Sequence, residues 1–425
     1  MANFVEESNT DDFFIMCGAA GTGKTSITSA LIGYLNAKST KYTIAAPTGR
    51  AARILGRKTG SVSNTIHSLI YKPETNKETG SVKFALKNNR SIEFGIYIID
   101  EASMVSAKSS KGSNAIFQTA DSVLNDLVKF VKNGNEKNKI IFLGDRNQLP
   151  PIHEKDALAL DPNYLRNKFN LKGNFHYLTE VKRQEEGSYI LKDATSIRKA
   201  IDSNQASHQP LQAFKHRNGF EAARQYAGNY DSNDVDQRVA IGISHKANNV
   251  FNKEVRKRLF SASAPLVQKG DLMLVVQNWR RGDQVLYNGD HVIVEEVNLH
   301  QMEEVAGLHF APVKIKCKAL DGAEQIIEDY MLLEVLLGES PDIDSTSENR
   351  LRAERFRKNK QFSDSGFPAD DRYVGALRLA YGYAITCHKA QGGEWNKVYV
   401  NTFGVKDPRW TYTAITRAKS VLELY

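Results

Sequence analysis

GAAGTGKT, Gly18 to Thr25, stands directly after an apolar run, Phe13–Cys17, and opens a segment of helical character. A strand, a glycine-rich turn and a helix in that order form a phosphate-binding loop. Each residue type has a physical reason. Gly18, Ala19, Ala20, Gly21, Thr22 and Gly23 let the backbone wrap closely, so that successive N–H groups and the helix N-terminus face a phosphate. Lys24 is placed to reach the β- and γ-phosphates, and Thr25 to hold Mg²⁺. A nucleoside triphosphate with Mg²⁺ is therefore expected here. A chance glycine-rich loop would not come with both the strand and the helix.

Three further apolar, β-rich stretches follow: Tyr42–Ala46, Ile96–Asp100 and Lys139–Asp145. Helical segments separate them, such as Asp121–Lys132 with Val123, Leu124, Leu127, Val128 and Val131 on one face. Strands alternating with helices predict a parallel sheet covered on both sides, an α/β fold. Ligands of such sheets gather at the C-terminal ends of the strands. Asp100 and Glu101 sit at one such end, where Asp100 can hold Mg²⁺ and Glu101 can orient and deprotonate a water. Gln148, in GDRNQLPP (144–151), leaves a neighbouring strand end and can touch a γ-phosphate.

Farther out, Thr75–Asn89 is polar and Lys-rich and reads as an inserted hairpin or loop. A second α/β unit starts near Arg198, with a strand at Arg238–Ser244. Short β-like runs follow at Asp271–Val276, His291–Val297, Pro312–Ala319 and Gln325–Glu334, spaced as in a small barrel or sheet. Ser340–Asp371 is polar and reads as a mobile connection with a short helix around Arg352–Lys360. Strand-like Lys397–Phe403 and Ser420–Tyr425 end the chain.

The 425 residues suffice for two to four domains. No run approaches the roughly 20 apolar residues of a membrane helix, and the N-terminus lacks the pattern of a secretory signal. Cys17, Cys317 and Cys387 are too few and scattered for a disulfide framework or zinc site, so a reduced, cytoplasmic setting is expected. The net charge of +8 suits a polyanionic partner without requiring one.

With these motifs in view, the chain resembles the superfamily 1 helicases, in their RecD and phage Dda branch (superfamily 1B). The resemblance rests on GAAGTGKT (18–25), APTGRAA (46–52), TIHSLI (65–70), DEAS (100–103), GDRNQLPP (144–151), LTEVKRQ (178–184), YAITCHKAQGGEW (383–395) and YTAITRAK (412–419). It implies two RecA-like motor domains, 1–190 and 191–425. It also implies a pin-like insertion at about 70–95, with Phe84 as a wedge residue, and an SH3-like β-barrel insertion at about 270–375. Arg183 and Arg417 would stabilise the charge of the transferred phosphoryl group, Arg417 from the second domain. Gly392 and Glu394 match positions near the γ-phosphate and ribose. Pro47, Thr48, Arg50, Thr65, His67, Thr386, His388 and Lys389 would contact nucleic acid, positioning a strand without reading its sequence. The resemblance specifies ATP, with Mg²⁺, as the nucleotide. The implied activity is ATP-dependent movement on single-stranded DNA, 5′→3′, by a monomeric motor acting on tailed or forked duplexes. A helicase or remodeller acting on RNA is the alternative within the superfamily, and a nucleotide-switched binding scaffold the alternative outside it.

The pattern departs from the family at the N-terminus. Relatives carry a Gln-containing helix there that recognises adenine, whereas none of the residues before Phe13 is Gln. Truncation, use of another residue and relaxed base selectivity all remain open readings. The last residue, Tyr425, falls inside what reads as a strand.

Overall fold

The computed structural model describes residues 1–75, 82–109, 117–119, 121–180, 188–205, 211–228, 230–319, 323–338 and 342–425. Two compact units emerge, one from Met1–Glu74 with Val82–Ser188, the other essentially from Tyr189–Tyr425.

The first unit is built on a six-stranded sheet in the order Ser63–Thr65, Lys41–Ala46, Gly95–Ile99, Lys139–Gly144, Phe13–Gly18, Gly173–Leu178. All of its pairings are parallel. Gly95–Ile99 and Lys139–Gly144 are buried along their whole length, as strands covered on both faces must be. Lys139, a charged residue in that core, is satisfied by the carbonyls of Asn9 and Asp11 at 2.6 and 2.9 Å. One covering helix is Val123–Gly134, capped by the Ser122 hydroxyl, with Leu124, Leu127, Val128 and Val131 inward. Its buried Asp126 accepts a hydrogen bond from the Tyr71 hydroxyl at 2.7 Å.

Tyr71–Thr75 and Val82–Leu86 of the inserted region, with Phe117–Thr119 from farther along the chain, form a separate three-stranded sheet. Phe84 does not project as a wedge. It is half-buried, packed on the main core, its ring 5.9 Å from Tyr71 and 6.3 Å from His67. Whatever lies at the tip of the insertion falls outside the described residues.

The second unit carries a five-stranded parallel sheet in the order Phe214–Lys215, Ala418–Leu424, Trp395–Val400, Arg238–Gly242, Ala384–Thr386. Between Arg238–Gly242 and Ala384–Thr386 the chain builds an antiparallel sheet around Leu272–Val275, His291–Val297, Leu308–Lys318 and Glu324–Leu332. Its two ends meet where Met331 bridges Leu377, just before the edge strand Leu379–Tyr381. Val275, Val292, Val294, Ile315 and Met331 fill the interior.

Of the connection expected to be mobile, residues 342–371 are instead ordered and packed. Helices Ser345–Lys358 and Lys360–Ser365 pack on the inserted sheet through Leu351, Phe356 and Phe362. The charges that made it look solvated are spent internally. Glu348 accepts from Arg352 Nε at 2.6 Å and Arg378 Nη2 at 2.7 Å, all three almost fully buried. Burial alone would raise the Glu348 pKa, but Arg378 and Arg352 outweigh it and hold the carboxyl below its ordinary value. Glu348→Ala leaves the buried Arg352 guanidinium without its carboxylate and Arg378 with Asp342 alone, and is expected to cost about 3–5 kcal/mol, measured as a fall in urea stability. Because the folded pKa is lowered, this contribution is present at neutral pH and disappears as pH falls through the carboxylate range. No helix among the described residues is long and apolar enough to cross a membrane.

Candidate nucleotide and nucleic-acid sites

The phosphate loop leaves Phe13–Gly18 and ends in helix Lys24–Ala37. Gly21 and Gly23 have φ of 81° and 84°, the left-handed region where a side chain is costly. At Gly18 a Cβ would lie 2.4 Å from Thr22 Oγ1 and 3.0 Å from Leu178 Cβ, so no other residue fits. The buried Thr22 hydroxyl donates to the Ala19 carbonyl at 2.9 Å and braces the turn. Lys24 Nζ donates to the carbonyls of Gly18 and Ala19 at 2.7 and 3.0 Å, which lays the ammonium across the loop. No side chain caps the helix N-terminus, whose N–H groups face outward from the first turn beside Thr25.

Asp100 and Glu101 follow Gly95–Ile99, two strands away from the loop strand in the sheet. Burial pushes the Asp100 carboxyl up. A hydrogen bond from the Glu101 N–H at 2.9 Å, and the charges of Lys24 and Lys58, pull it back. Glu101 itself has φ 49° and ψ 38°, a left-handed conformation rare for a residue with a side chain. The strand between, Lys139–Gly144, ends close to this turn, since a Cβ on Gly144 would approach Ser103 N to 3.2 Å. Asp145 then shapes a tight exit, its carboxylate accepting from Asn147 N at 3.0 Å and its carbonyl from Gln148 N at 3.2 Å. Gln148 is 3 % exposed and its Oε1 has no partner. A buried acceptor left unpaired costs about 1–3 kcal/mol, which calls for a functional explanation.

These residues fit a magnesium nucleotide. Thr25 and Asp100 are oxygen donors suited to a hard cation that keeps several waters and phosphate oxygens as its other ligands. Lys24 supplies the counter-charge, and the orphaned Gln148 amide can accept from a water. Among the described residues no cluster of three or more His, Cys, Asp or Glu could hold a metal by itself.

Of the expected nucleic-acid contacts in this unit, two threonines already have local work. Thr48 caps helix Gly49–Thr59, accepting from Ala51 N at 3.2 Å, and Thr65 caps Ile66–Ile70, accepting from Ser68 N at 3.0 Å. Each hydroxyl can still donate outward, because capping uses it only as an acceptor. Both helices start at C-terminal ends of neighbouring strands, with Pro47 and the mostly buried Arg50 flanking the first. The His67 ring packs on Tyr71 at 5.5 Å, and the buried face pushes its pKa below the ordinary value.

In the second unit, Arg417 is 3 % exposed and donates to the carbonyls of Thr413 and Gly393 at 3.0 and 3.3 Å and to the Thr416 hydroxyl at 3.1 Å. Its partners are all neutral, so its charge is not spent on a carboxylate. The Gly393 contact brings Arg417 beside Gly392 and Glu394. Thr386, His388 and Lys389 lie on or just before the short helix Cys387–Ala390, at the end of strand Ala384–Thr386. Arg183 falls outside the described residues.

Three residues around Lys389 were not singled out from the sequence as contacts: His245 and Asn248 on helix His245–Leu259, and Asn288 in a turn of the inserted sheet.

Comparison with known proteins places this geometry. The AAA domain family matches residues 2–154 and the UvrD-like helicase C-terminal domain family matches 381–425. The chain is 24 % identical over 418 residues to the ATP-dependent DNA helicase dda of Enterobacteria phage T4, covering 91 % of this chain and 86 % of that protein. It is 22 % identical to the RecBCD enzyme subunit RecD of Buchnera aphidicola, over 98 % of this chain and 70 % of that one. In fold it is similar to the Pif1 helicase from Bacteroides in complex with ADP-AlF3 and ssDNA, with a TM-score of 0.51 at 16 % identity, 99 % of this chain and 90 % of the other being covered.

Proposed function

We infer that this chain, a superfamily 1B helicase of the Dda and RecD type, is an ATP-dependent DNA helicase that binds single-stranded and forked DNA. The observation that carries the reading is the gathering of Lys24, Asp100, Glu101 and Gln148 at the C-terminal edge of one parallel sheet, where the strand order places their strands side by side. Lys24 neutralises phosphate charge, and Thr25 and Asp100 would hold Mg²⁺. ATP supplies the free energy when bound. Glu101 takes a proton from the attacking water at its carboxylate, and the Gln148 carbonyl oxygen orients that water. Arg183 and Arg417 are the proposed stabilisers of charge spreading over the γ-phosphoryl group.

On the DNA side, Pro47, Thr48, Arg50, Thr65, His67, Thr386, His388 and Lys389 are the proposed strand contacts. The capped helix starts at Thr48 and Thr65 support a backbone-directed, sequence-independent grip. The segment of about 70–95, with strands Tyr71–Thr75 and Val82–Leu86, is the proposed pin, and the antiparallel sheet of the second unit the proposed SH3-like barrel. Movement 5′→3′ follows from the same kinship.

Steady-state ATP hydrolysis with and without single-stranded DNA tests the whole reading, with tailed duplexes of either polarity and a matched RNA alongside. Stimulation by DNA, with unwinding from a 5′ tail, is the expected result. Hydrolysis indifferent to nucleic acid would overturn the motor, and stronger stimulation by RNA would move the substrate to the 2′-hydroxyl polymer.

A further inference from the structure

Lys389 is a lysine in an unusual position. It lines a cavity of the second unit together with His245, Asn248, Lys253 and Thr386. No carboxylate among the described residues lies within ion-pair distance of it. Asp342, the nearest acidic influence, is engaged by Arg378 at 3.3 Å. Among the described residues, the ammonium's hydrogen-bond partner is a neutral one, the side-chain carbonyl of Asn288. A half-buried cation without a counter-ion is costly, and an arriving anion relieves that cost. Asn248 supports a ligand at the same place. It is 3 % exposed, lines the cavity, and neither of its amide atoms has a partner among the described residues.

Asn288 is itself held on every side. Its N–H donates to Asn278 Oδ1 at 2.8 Å. Gly289, at φ 98°, donates to the Val275 carbonyl at 2.8 Å, and Asp290 accepts from Tyr287 N at 2.6 Å. The turn therefore presents the Asn288 amide as a fixed post anchored in the inserted sheet, while Lys389 belongs to the parallel sheet's own edge.

We propose that Asn288 is a positioning residue, which fixes the Lys389 ammonium on the wall of this cavity so that it meets a phosphate of the bound strand. The inference rests on the strand-contact reading of Lys389 above, and it gives the inserted sheet a direct part in the grip on DNA. The charged and titratable groups facing Lys389 are His245 and Lys253 from helix His245–Leu259, Asp342 from the segment before Ser345–Lys358, and its neighbour His388. Burial lowers the Lys389 pKa to about 8, with Asp342 opposing the shift. Its charge is therefore full below that pH and lost above it.

The test measures affinity for fluorescein-labelled oligo(dT), and the DNA concentration giving half-maximal ATPase, from pH 6.5 to 9. The intact chain should bind more weakly as pH rises through about 8. Lys389→Arg should flatten that dependence, because arginine stays charged. Asn288→Ala should raise the half-saturating DNA concentration about tenfold, the equivalent of one charge-assisted contact, with a smaller change in kcat. Asn288→Asp puts a carboxylate against Lys389, keeps the contact, and should move the pH midpoint upward. An Asn288→Asp profile identical to that of the intact chain overturns the proposal, as do equal losses of kcat and affinity in Asn288→Ala. If Lys389→Ala leaves DNA affinity untouched, the strand-contact reading itself falls.

Discussion

Lys24→Ala is expected to lower DNA-stimulated ATP turnover by on the order of 10²–10³-fold or more, the range found when a single preorganised charge stabiliser is removed. Two contributions add in this chain. The ammonium lies across the loop on the carbonyls of Gly18 and Ala19, so its loss removes the phosphate counter-charge and leaves those two acceptors short of a donor. Its field also helps to hold down the Asp100 carboxyl, which burial pushes up. Without Lys24, Asp100 spends more of its time protonated and is a poorer oxygen donor for a cation. The variant should therefore need more Mg²⁺ for its residual activity, and should regain part of it as pH rises. Phosphate release across a Mg²⁺ titration at two pH values checks both. Near-normal hydrolysis by Lys24→Ala would remove the phosphate-loop assignment, and with it the motor. A turnover loss with unchanged Mg²⁺ dependence would leave the assignment standing but discard the coupling to Asp100.

How much of this was legible beforehand differs by residue. The parallel strands were plain because strands buried on both faces must be continuous apolar runs, and Ile96–Ile99 and Ile140–Leu143 are such runs. Lys24, Asp100 and Gln148 were legible because their place at strand ends follows from the fold class itself. Helix Ser345–Lys358 was legible only in part: a short helix was read around Arg352–Lys360, but its first turns and its packing were not, because its buried surface is ionic. Glu348 and Arg352 read as an ordinary solvated i,i+4 pair and become a core only with Arg378, from a strand region that no helical periodicity connects to them. Phe84 differs again: the wedge role came only from the family resemblance, and the ring is packed on those of Tyr71 and His67. Thr48 and Thr65 show the limit for polar residues. A threonine ahead of a helix is a cap by default, and its cap bond leaves the donor side of the hydroxyl for a second use. The Asn288–Lys389 contact joins positions about a hundred residues apart and had no local signal at all.

Glu101→Gln is expected to bind nucleotide within a few-fold of the intact chain while its turnover falls roughly 10²–10⁴-fold, the usual contribution of a general base. The amide keeps the size and hydrogen-bonding reach of the carboxylate but cannot take a proton. The backbone makes a sharper companion experiment possible. Glu101 is held at φ 49° by its own N–H to Asp100 Oδ1 at 2.9 Å and by its carbonyl, which accepts from Met104 N at 3.0 Å. That conformation costs a residue with a Cβ about 1–2 kcal/mol. Glycine adopts it freely and preserves both backbone bonds. Glu101→Gly should therefore lose turnover as completely as Glu101→Gln while matching or exceeding the intact chain in urea stability, by up to about 1 kcal/mol. A catalytic residue kept in a conformation that glycine would occupy more cheaply is strain retained for its side chain. If Glu101→Gly proves markedly less stable, the carboxylate is a structural partner and the strain argument fails. If Glu101→Gln turns over normally, the proton must leave by another group, and Glu101 is no longer the base.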